Sequence, residues 1–345
     1  MKALFPEPVF LEEKPAFHTI PAEILDKIAA IMKEPIIAGT VARGGISAGA
    51  SFILTLSSGR KIFAKGSHPG EMAHGAENIR QEISAYRTET LLASLAPEFL
   101  GEASDGDEDG WFLGLWRYVE KNPSAPDALQ IVKKMAAWHA KTASGKIRHS
   151  RPMPAFMSFF FRDEKKWRRI CGEENTRQKF LSLFEDPAAG NAWLEKSGAA
   201  LRAAQARACL LSSPCGLIHG DLRMDNIFSD VDGRIYIVDW PNACSGPSVF
   251  DLVFLFSDME SLGLAMIEDC FNLYREQGGL DIKEEDRIAV AATLAGYFAD
   301  QAYREVPVKL PRLRWKQKSQ LLALLRFLTR LGMFESIPRM IDENR

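Results

Sequence analysis

No stretch of this chain is apolar for long enough to cross a bilayer: the most membrane-like run, Ile288 to Ala299, falls well short of the ~20 residues that a spanning helix needs. Cysteine is scarce and unpaired in pattern. The five cysteines (Cys171, Cys209, Cys215, Cys244 and Cys270) form no C-x-x-C pair, and an odd number argues against a disulfide framework, so a reducing compartment fits best. The N-terminal MKALFPEPVFLEEKPAF places prolines and acids where an export signal needs unbroken apolar residues. Neither sign of charge dominates. Forty-three Lys and Arg against 45 Asp and Glu give a formal charge of −2, which excludes a bulk nucleic-acid binder but leaves room for local basic patches. The chain also lacks the G-x-G-x-x-G dinucleotide fingerprint, which disfavours hydride transfer, and it has no internal repeat or low-complexity tract. These absences predict a soluble, cytoplasmic protein with neither nucleic acid nor membrane as partner.

What is present is an ordinary globular composition, 46% hydrophobic and 26% charged over 345 residues, long enough for two lobes at about 150 residues per domain. The first lobe reads as strands plus one helix. Ser51 to Leu56 and Lys61 to Lys65 are β-type runs joined by the turn residues Ser57-Ser58-Gly59-Arg60. A glycine-rich segment, Arg43 to Gly49, precedes them. Glu77 to Leu95 has helical spacing at Ile79, Ile83, Tyr86 and Leu91 and ends at Pro97. The acidic loop Glu102 to Asp109 leads to a buried strand, Trp111 to Val119, and Lys121 to Pro126 cannot continue either periodicity. The expected division is therefore residues 1–120 and residues 121–345. The second part is mostly helical, starting with an N-cap at Asp127 and an apolar face of Ile131, Met135 and Trp138. Further helices are expected at about 155–171, 176–185, 190–211 and from 249 onward. The predicted fold class is α+β, bilobal, with a small β-rich N-lobe and a large, mainly helical C-lobe.

One hairpin interrupts the helical half, Asn226 to Ser229 and Arg234 to Val238, turned at Asp232-Gly233. Antiparallel pairing brings Asn226 and Asp239 to the same end of it, and Asp221 lies a few residues upstream. Asn226 and Asp239 offer hard oxygen ligands suited to Mg²⁺, which takes few protein ligands and fills the rest with water and phosphates. Asp221 can act as a base. Taken singly, Asp and Asn beside hairpins are ordinary turn formers; their joint occurrence is what carries weight.

The pattern His219-Gly220-Asp221, Asn226, a short hairpin and Asp239-Trp240 resembles the catalytic and metal-binding loops of the aminoglycoside phosphotransferase and choline kinase families, relatives of the protein kinases. Gly246 to Leu252 extends the likeness, because these families carry a G-x-P-x-x-D-L-like segment after the metal-binding Asp. The specific motifs occupy only about residues 218 to 252. The resemblance implies a protein-kinase-like fold, residues 1–120 as a nucleotide-binding lobe and residues 121–345 as the catalytic and acceptor lobe. It implies an ATP-dependent transfer of the γ-phosphoryl group to a hydroxyl of a small molecule such as a sugar, amino alcohol, nucleoside or antibiotic. The alternative is a kinase-like pseudoenzyme that binds nucleotide without turnover.

Carried over by residue, Asp221 would orient and deprotonate the acceptor hydroxyl, while Asn226 and Asp239 would hold Mg²⁺ on the ATP phosphates. His219 would pack under the loop, and Asp251 would accept hydrogen bonds from its backbone. Arg223 stands where protein kinases place a cation that neutralises the transferring group; the competing reading is a solvated arginine or one paired with Asp225. Lys65 and Glu82 are spaced like the family's ion pair, with Lys61 and Glu77 as competitors, Lys61 being disfavoured because it starts its strand. Gly45 and Ser47 of the glycine-rich segment would cover the phosphates, and backbone groups from Arg117 to Val119 would meet adenine. In the acceptor lobe, Arg304 to Lys318 holds six basic residues against Glu305 alone. The expectation is a solvated face; facing the cleft, the patch would instead favour a neutral or anionic acceptor.

Overall fold

Alternation of buried and partly exposed residues from Ala50 onward builds the first layer. In the computed structural model, which describes residues 14–42, 49–69, 74–107, 110–124, 126–143 and 165–341, five antiparallel strands form one sheet in the order β1-β2-β3-β5-β4. They are β1 (Ile36–Val41), β2 (Ala50–Leu56), β3 (Lys61–Ser67), β4 (Phe99–Ser104) and β5 (Phe112–Arg117). Phe52, Leu54, Leu56, Ile62, Ala64, Leu113 and Leu115 point to one face, where α1 (Ala22–Met32) lays Ile24 and Ile28 against them. Burying each of the larger side chains contributes about 1.5–3 kcal/mol. The period of two along β3 then turns Lys61, Phe63 and Lys65 to the opposite face, where α2 (His74–Thr88) packs Ile79 and Ile83 with Trp116. Gly66 lets β5 come close: a Cβ there would sit 1.7 Å from the Phe112 carbonyl oxygen.

Two short ladders come later in the chain. β6 (Cys215–Ile218) pairs with β9 (Cys244–Pro247), and β7 (Ile227–Ser229) with β8 (Ile235–Ile237). The chain divides into two units, Met1–Pro126 with Asp225–Ala243 and Asp127–Met224 with Cys244–Arg345. The β7–β8 hairpin counts with the first because it bonds there: Ile237 N–H donates to the Leu95 carbonyl at 2.8 Å and Asn122 N–H to that of Ser229 at 2.8 Å. The expected helix from Glu77 to Leu95 is shorter than its periodicity suggested. α2 stops at Thr88, and a 3₁₀ turn, Thr90–Ser94, buries the adjacent Leu91 and Leu92, which leaves the Leu95 carbonyl to meet the hairpin. Part of the expected acidic loop is instead β4, whose inward residue Ala103 is buried.

Among its described residues, the second unit's regular structure is helical apart from β6 and β9. α3 (Ala128–Thr142) starts at the Asp127 cap and buries Ile131, Val132, Met135, Ala136 and Trp138. Then come α4 (Lys165–Gly172), α5 (Glu174–Leu181), α6 (Pro187–Arg207), α7 (Ser248–Ser261), α8 (Ile267–Glu276), α9 (Glu284–Ala302) and α10 (Leu313–Arg330). Residues 155–164 of the expected helix at 155–171 lie outside the described residues. α6 has Pro187 in its first turn and the Asp186 carboxylate on the N–H groups of Ala188 and Ala189, a strong start signal. α7 is buried from Ser248 through Met259, including Asp251 and Asp258. A helix enclosed on all sides must find partners for such groups. Among the described residues, no helix is long and apolar enough to cross a membrane.

Candidate active site

The first unit contributes an ammonium held by two carboxylates. Lys65 Nζ lies 2.9 Å from Glu82 Oε2 and 2.7 Å from Asp239 Oδ1, which joins β3, α2 and the end of the hairpin. Burial works against the charge on Lys65, yet Asp239 and Glu82 outweigh it and hold the ammonium pKa above the ordinary lysine value. Glu82 is buried, and desolvation raises its pKa against the pull of Lys65; its Oε1 also accepts the Trp240 N–H at 3.3 Å. The competing residues lie elsewhere. Lys61 is exposed with its ammonium 5.7 Å from the centre of the Tyr118 ring, and Glu77 accepts from Gln81 at the surface.

Asn226 and Asp239 stand at one end of the hairpin, where Val238 N–H donates to the Asn226 carbonyl at 2.9 Å. Asn226 is buried. Asp239 adopts φ 70°, a left-handed conformation that costs a non-glycine residue on the order of 1–3 kcal/mol and recurs at functional positions. Here it coincides with the carboxylate meeting a cation, Lys65. Among the described residues, no group of three or more His, Cys, Asp or Glu side chains is arranged to hold a metal ion. Two hard oxygen donors, one already facing a positive charge, fit an ion such as Mg²⁺ that draws its other ligands from phosphates and water.

Two sequence expectations in this unit fare differently. Gly45 and Ser47 lie outside the described residues. At the end of β5, Arg117 N–H donates to the Glu98 carbonyl at 2.8 Å and its guanidinium to the Tyr236 hydroxyl at 3.0 Å. The Arg117 N–H is therefore engaged at the sheet edge, and the expected adenine contact would fall to the other backbone groups from Arg117 to Val119. The half-buried Val119 lies past the strand, in a segment without regular structure.

The second unit contributes a loop fixed by buried carboxylates. β6 delivers the chain to His219, which is buried, and Gly220 follows with φ 82°, a conformation that glycine adopts without strain. Asp251, on α7, accepts the N–H of His219 at 2.6 Å and that of Gly220 at 3.0 Å. Burial pushes the Asp251 carboxyl up to about 7, against the lowering effect of those two bonds. Asp221 N–H donates to His219 Nδ1 at 3.2 Å, so that nitrogen is an acceptor and a neutral ring carries its proton on Nε2. The Asp221 carboxylate faces Arg223, with Nε at 3.0 Å and Nη2 at 3.2 Å. Arg223 is thus buried rather than solvated, and its guanidinium meets the Asp221 carboxylate.

The sequence offered Asp258 only as one of the acids that leave the charge of the acceptor pocket open, not as a partner of this loop. It is fully buried, accepts Met224 N–H at 2.9 Å and lies 3.6 Å from Lys316 Nζ on α10. Asp251 and Asp258 are seven residues apart, two turns along one face of α7, so one helix grips the loop at residues 219 and 220 and again at 224. The available signal was an acid two turns beyond Asp251 in an otherwise apolar helix.

Residues 40–284 match the model of the phosphotransferase enzyme family. No curated protein is similar enough to the chain to count as a match. Among solved structures, choline kinase from Streptococcus pneumoniae is 14% identical over 88% of this chain and 98% of that one, with a TM-score of 0.53. Spectinomycin phosphotransferase in complex with ADP and spectinomycin is 12% identical over 93% and 96%, with a TM-score of 0.55. A thermostable mutant of an aminoglycoside phosphotransferase is 13% identical over 88% and 99%, with a TM-score of 0.54. At such identities the likeness is one of fold, the protein-kinase-like arrangement of a β-rich lobe and a helical one. The family match spans well over half of the sequence, and on that ground the chain belongs to the phosphotransferase enzyme family.

Proposed function

We propose that the protein is an ATP-dependent kinase that moves the γ-phosphoryl group to a hydroxyl of a small molecule, the first unit binding nucleotide and the second the acceptor. The observation that supports this most is the Lys65 ammonium held between Glu82 and Asp239. A protein that binds nucleotide without turnover would use the lysine, its orienting glutamate and the metal ligands, but it has no need of a base at Asp221. In this reading Lys65 binds the ATP phosphates and Glu82 orients it. Asn226 and Asp239 hold Mg²⁺, which when bound neutralises phosphate charge.

Asp221 takes the proton from the acceptor hydroxyl as the new O–P bond forms and the bond between the γ-phosphorus and the β–γ bridging oxygen breaks, releasing ADP. Arg223 holds the Asp221 carboxylate in one orientation and places positive charge beside it, where the phosphoryl oxygens gather negative charge. His219 and Asp251 set the loop's backbone. The five free cysteines suit a reducing, cytoplasmic compartment.

The experiment that tests the proposal is a nucleotide-consumption screen over sugars, amino alcohols, nucleosides and antibiotics, with the Asp221→Asn protein as background. Consumption that depends on one acceptor, accompanied by ADP and a phosphorylated product, is the expected result. ATP loss that no acceptor raises above the variant's would refute it.

A further inference from the structure

The basic stretch between α9 and α10 is only partly a solvated face. Lys309 and Arg312 are exposed, as charge runs usually are. Arg304 is also exposed but leans on Asp300 of α9, donating to Oδ2 at 2.6 Å and to the backbone carbonyl at 2.9 Å. Asp300 additionally accepts from Lys166 at 3.2 Å and from the Tyr303 hydroxyl at 3.0 Å, so its oxygens are already shared among several donors.

Arg314, in the first turn of α10, is different. It is half-buried, and its hydrogen-bond partners are both neutral, the Glu305 carbonyl at 3.0 Å and Gln317 Oε1 at 2.8 Å. Among the described residues no carboxylate is paired with it. Burial, with Arg304 as the second cause, lowers its pKa. A partly desolvated guanidinium beside another cation is unfavourable until an anion joins it.

Its place in the second unit gives that anion a use. Lys316, two residues further along α10, pairs with Asp258, the carboxylate that holds Met224 N–H of the catalytic loop. Tyr297, on α9 one turn before Asp300, lies where Asp221, Arg223, Arg304 and Arg314 all act on its hydroxyl, although burial is the main cause of its raised pKa. The arginines of this stretch and the proposed base therefore share a neighbourhood.

We propose that Arg314, with Arg304 and Tyr297, forms an anion subsite on the acceptor side of Asp221, so that the hydroxylated acceptor also carries a carboxylate or a phosphate. The inference rests on the phosphotransferase reading of the same site and names its substrate class. A guanidinium offers paired N–H donors that match either oxyanion. Polycationic acceptors would meet repulsion there.

The test pairs acceptors that differ in the acid: D-gluconate against D-glucose for a carboxylate, and sn-glycerol 3-phosphate against glycerol for a phosphate. Each is assayed with the wild type, Arg314→Gln and Arg314→Lys. The expected result is turnover biased to an acidic member, a KM for that acceptor raised at least about tenfold in Arg314→Gln and partly recovered in Arg314→Lys, and an unchanged KM for MgATP, as when binding to one substrate alone is removed. Turnover confined to the uncharged members, untouched by Arg314→Gln, would overturn the subsite and leave the kinase standing. If no acceptor is phosphorylated, the kinase reading fails on this panel, and calorimetry of gluconate and glycerol 3-phosphate into the ADP-loaded protein decides the subsite. Binding that Arg314→Gln removes supports it; no binding, or equal binding by the variant, overturns it.

Discussion

Lys65 keeps its charge where burial opposes it, because two carboxylates lie within 3 Å. The arrangement was partly legible in the sequence. The spacing from Lys65 to Glu82 resembles the family's ion pair, and the strand period places both Lys61 and Lys65 on the face toward α2. Periodicity could not separate the two lysines further, since they share that face; what separates them is position, Lys61 at the exposed start of β3 and Lys65 beside the packed helix. Lys65→Ala should weaken MgATP binding about 10- to 100-fold, since a charge-assisted hydrogen bond contributes about 1.5–3 kcal/mol, whereas Lys61→Ala should leave it unchanged. Titration calorimetry of both variants checks this, and the reverse order would move the phosphate-binding lysine to the strand's other end. The partner of Arg223 was less legible. Asp221 and Asp225 are each two residues away, so spacing alone did not single out the Asp221 carboxylate that the guanidinium meets.

At the level of elements, α7 fixes the loop of the second unit. Its apolar character was visible as a helix from 249 onward, and the family likeness assigned Asp251 to the loop backbone. The same pattern did not reveal Asp258, because the partner of a buried acid is decided by long-range packing: Met224 arrives from the loop and Lys316 from α10. Removing the Asp258 side chain leaves a buried N–H and an ammonium without this acceptor, a cost of about 1–3 kcal/mol for the N–H alone. Asp258→Ala should therefore lower both stability and kcat while changing the KM for MgATP little, and Asp258→Asn, which keeps an acceptor oxygen, should recover part of kcat. Denaturant unfolding alongside steady-state kinetics distinguishes the outcomes. An Asp258→Ala protein that unfolds earlier yet turns over normally would confine Asp258 to the core.

Across the whole molecule, composition and patterning announced a β-rich part followed by a helical one, and the motif around the hairpin announced the family. The bonds that seat the hairpin against Leu95 and Asn122 could not be foreseen in the same way. Leu95 and Asn122 are far from residues 229 and 237 in sequence, and a 3₁₀ turn that periodicity reads as continuing helix presents the Leu95 carbonyl. The basic run from Arg304 to Lys318 was likewise visible in the sequence, but not that Arg314 within it is half-buried. The central claim is that this chain transfers a phosphoryl group with Asp221 as the base, and the most direct measurement compares turnover and nucleotide affinity in one variant. On an acceptor confirmed by the screen, Asp221→Asn should lose about 10²- to 10⁴-fold in kcat, the usual contribution of a positioned general base, while calorimetry finds its MgATP affinity close to that of the wild type. Near-normal turnover by the folded variant would contradict the account.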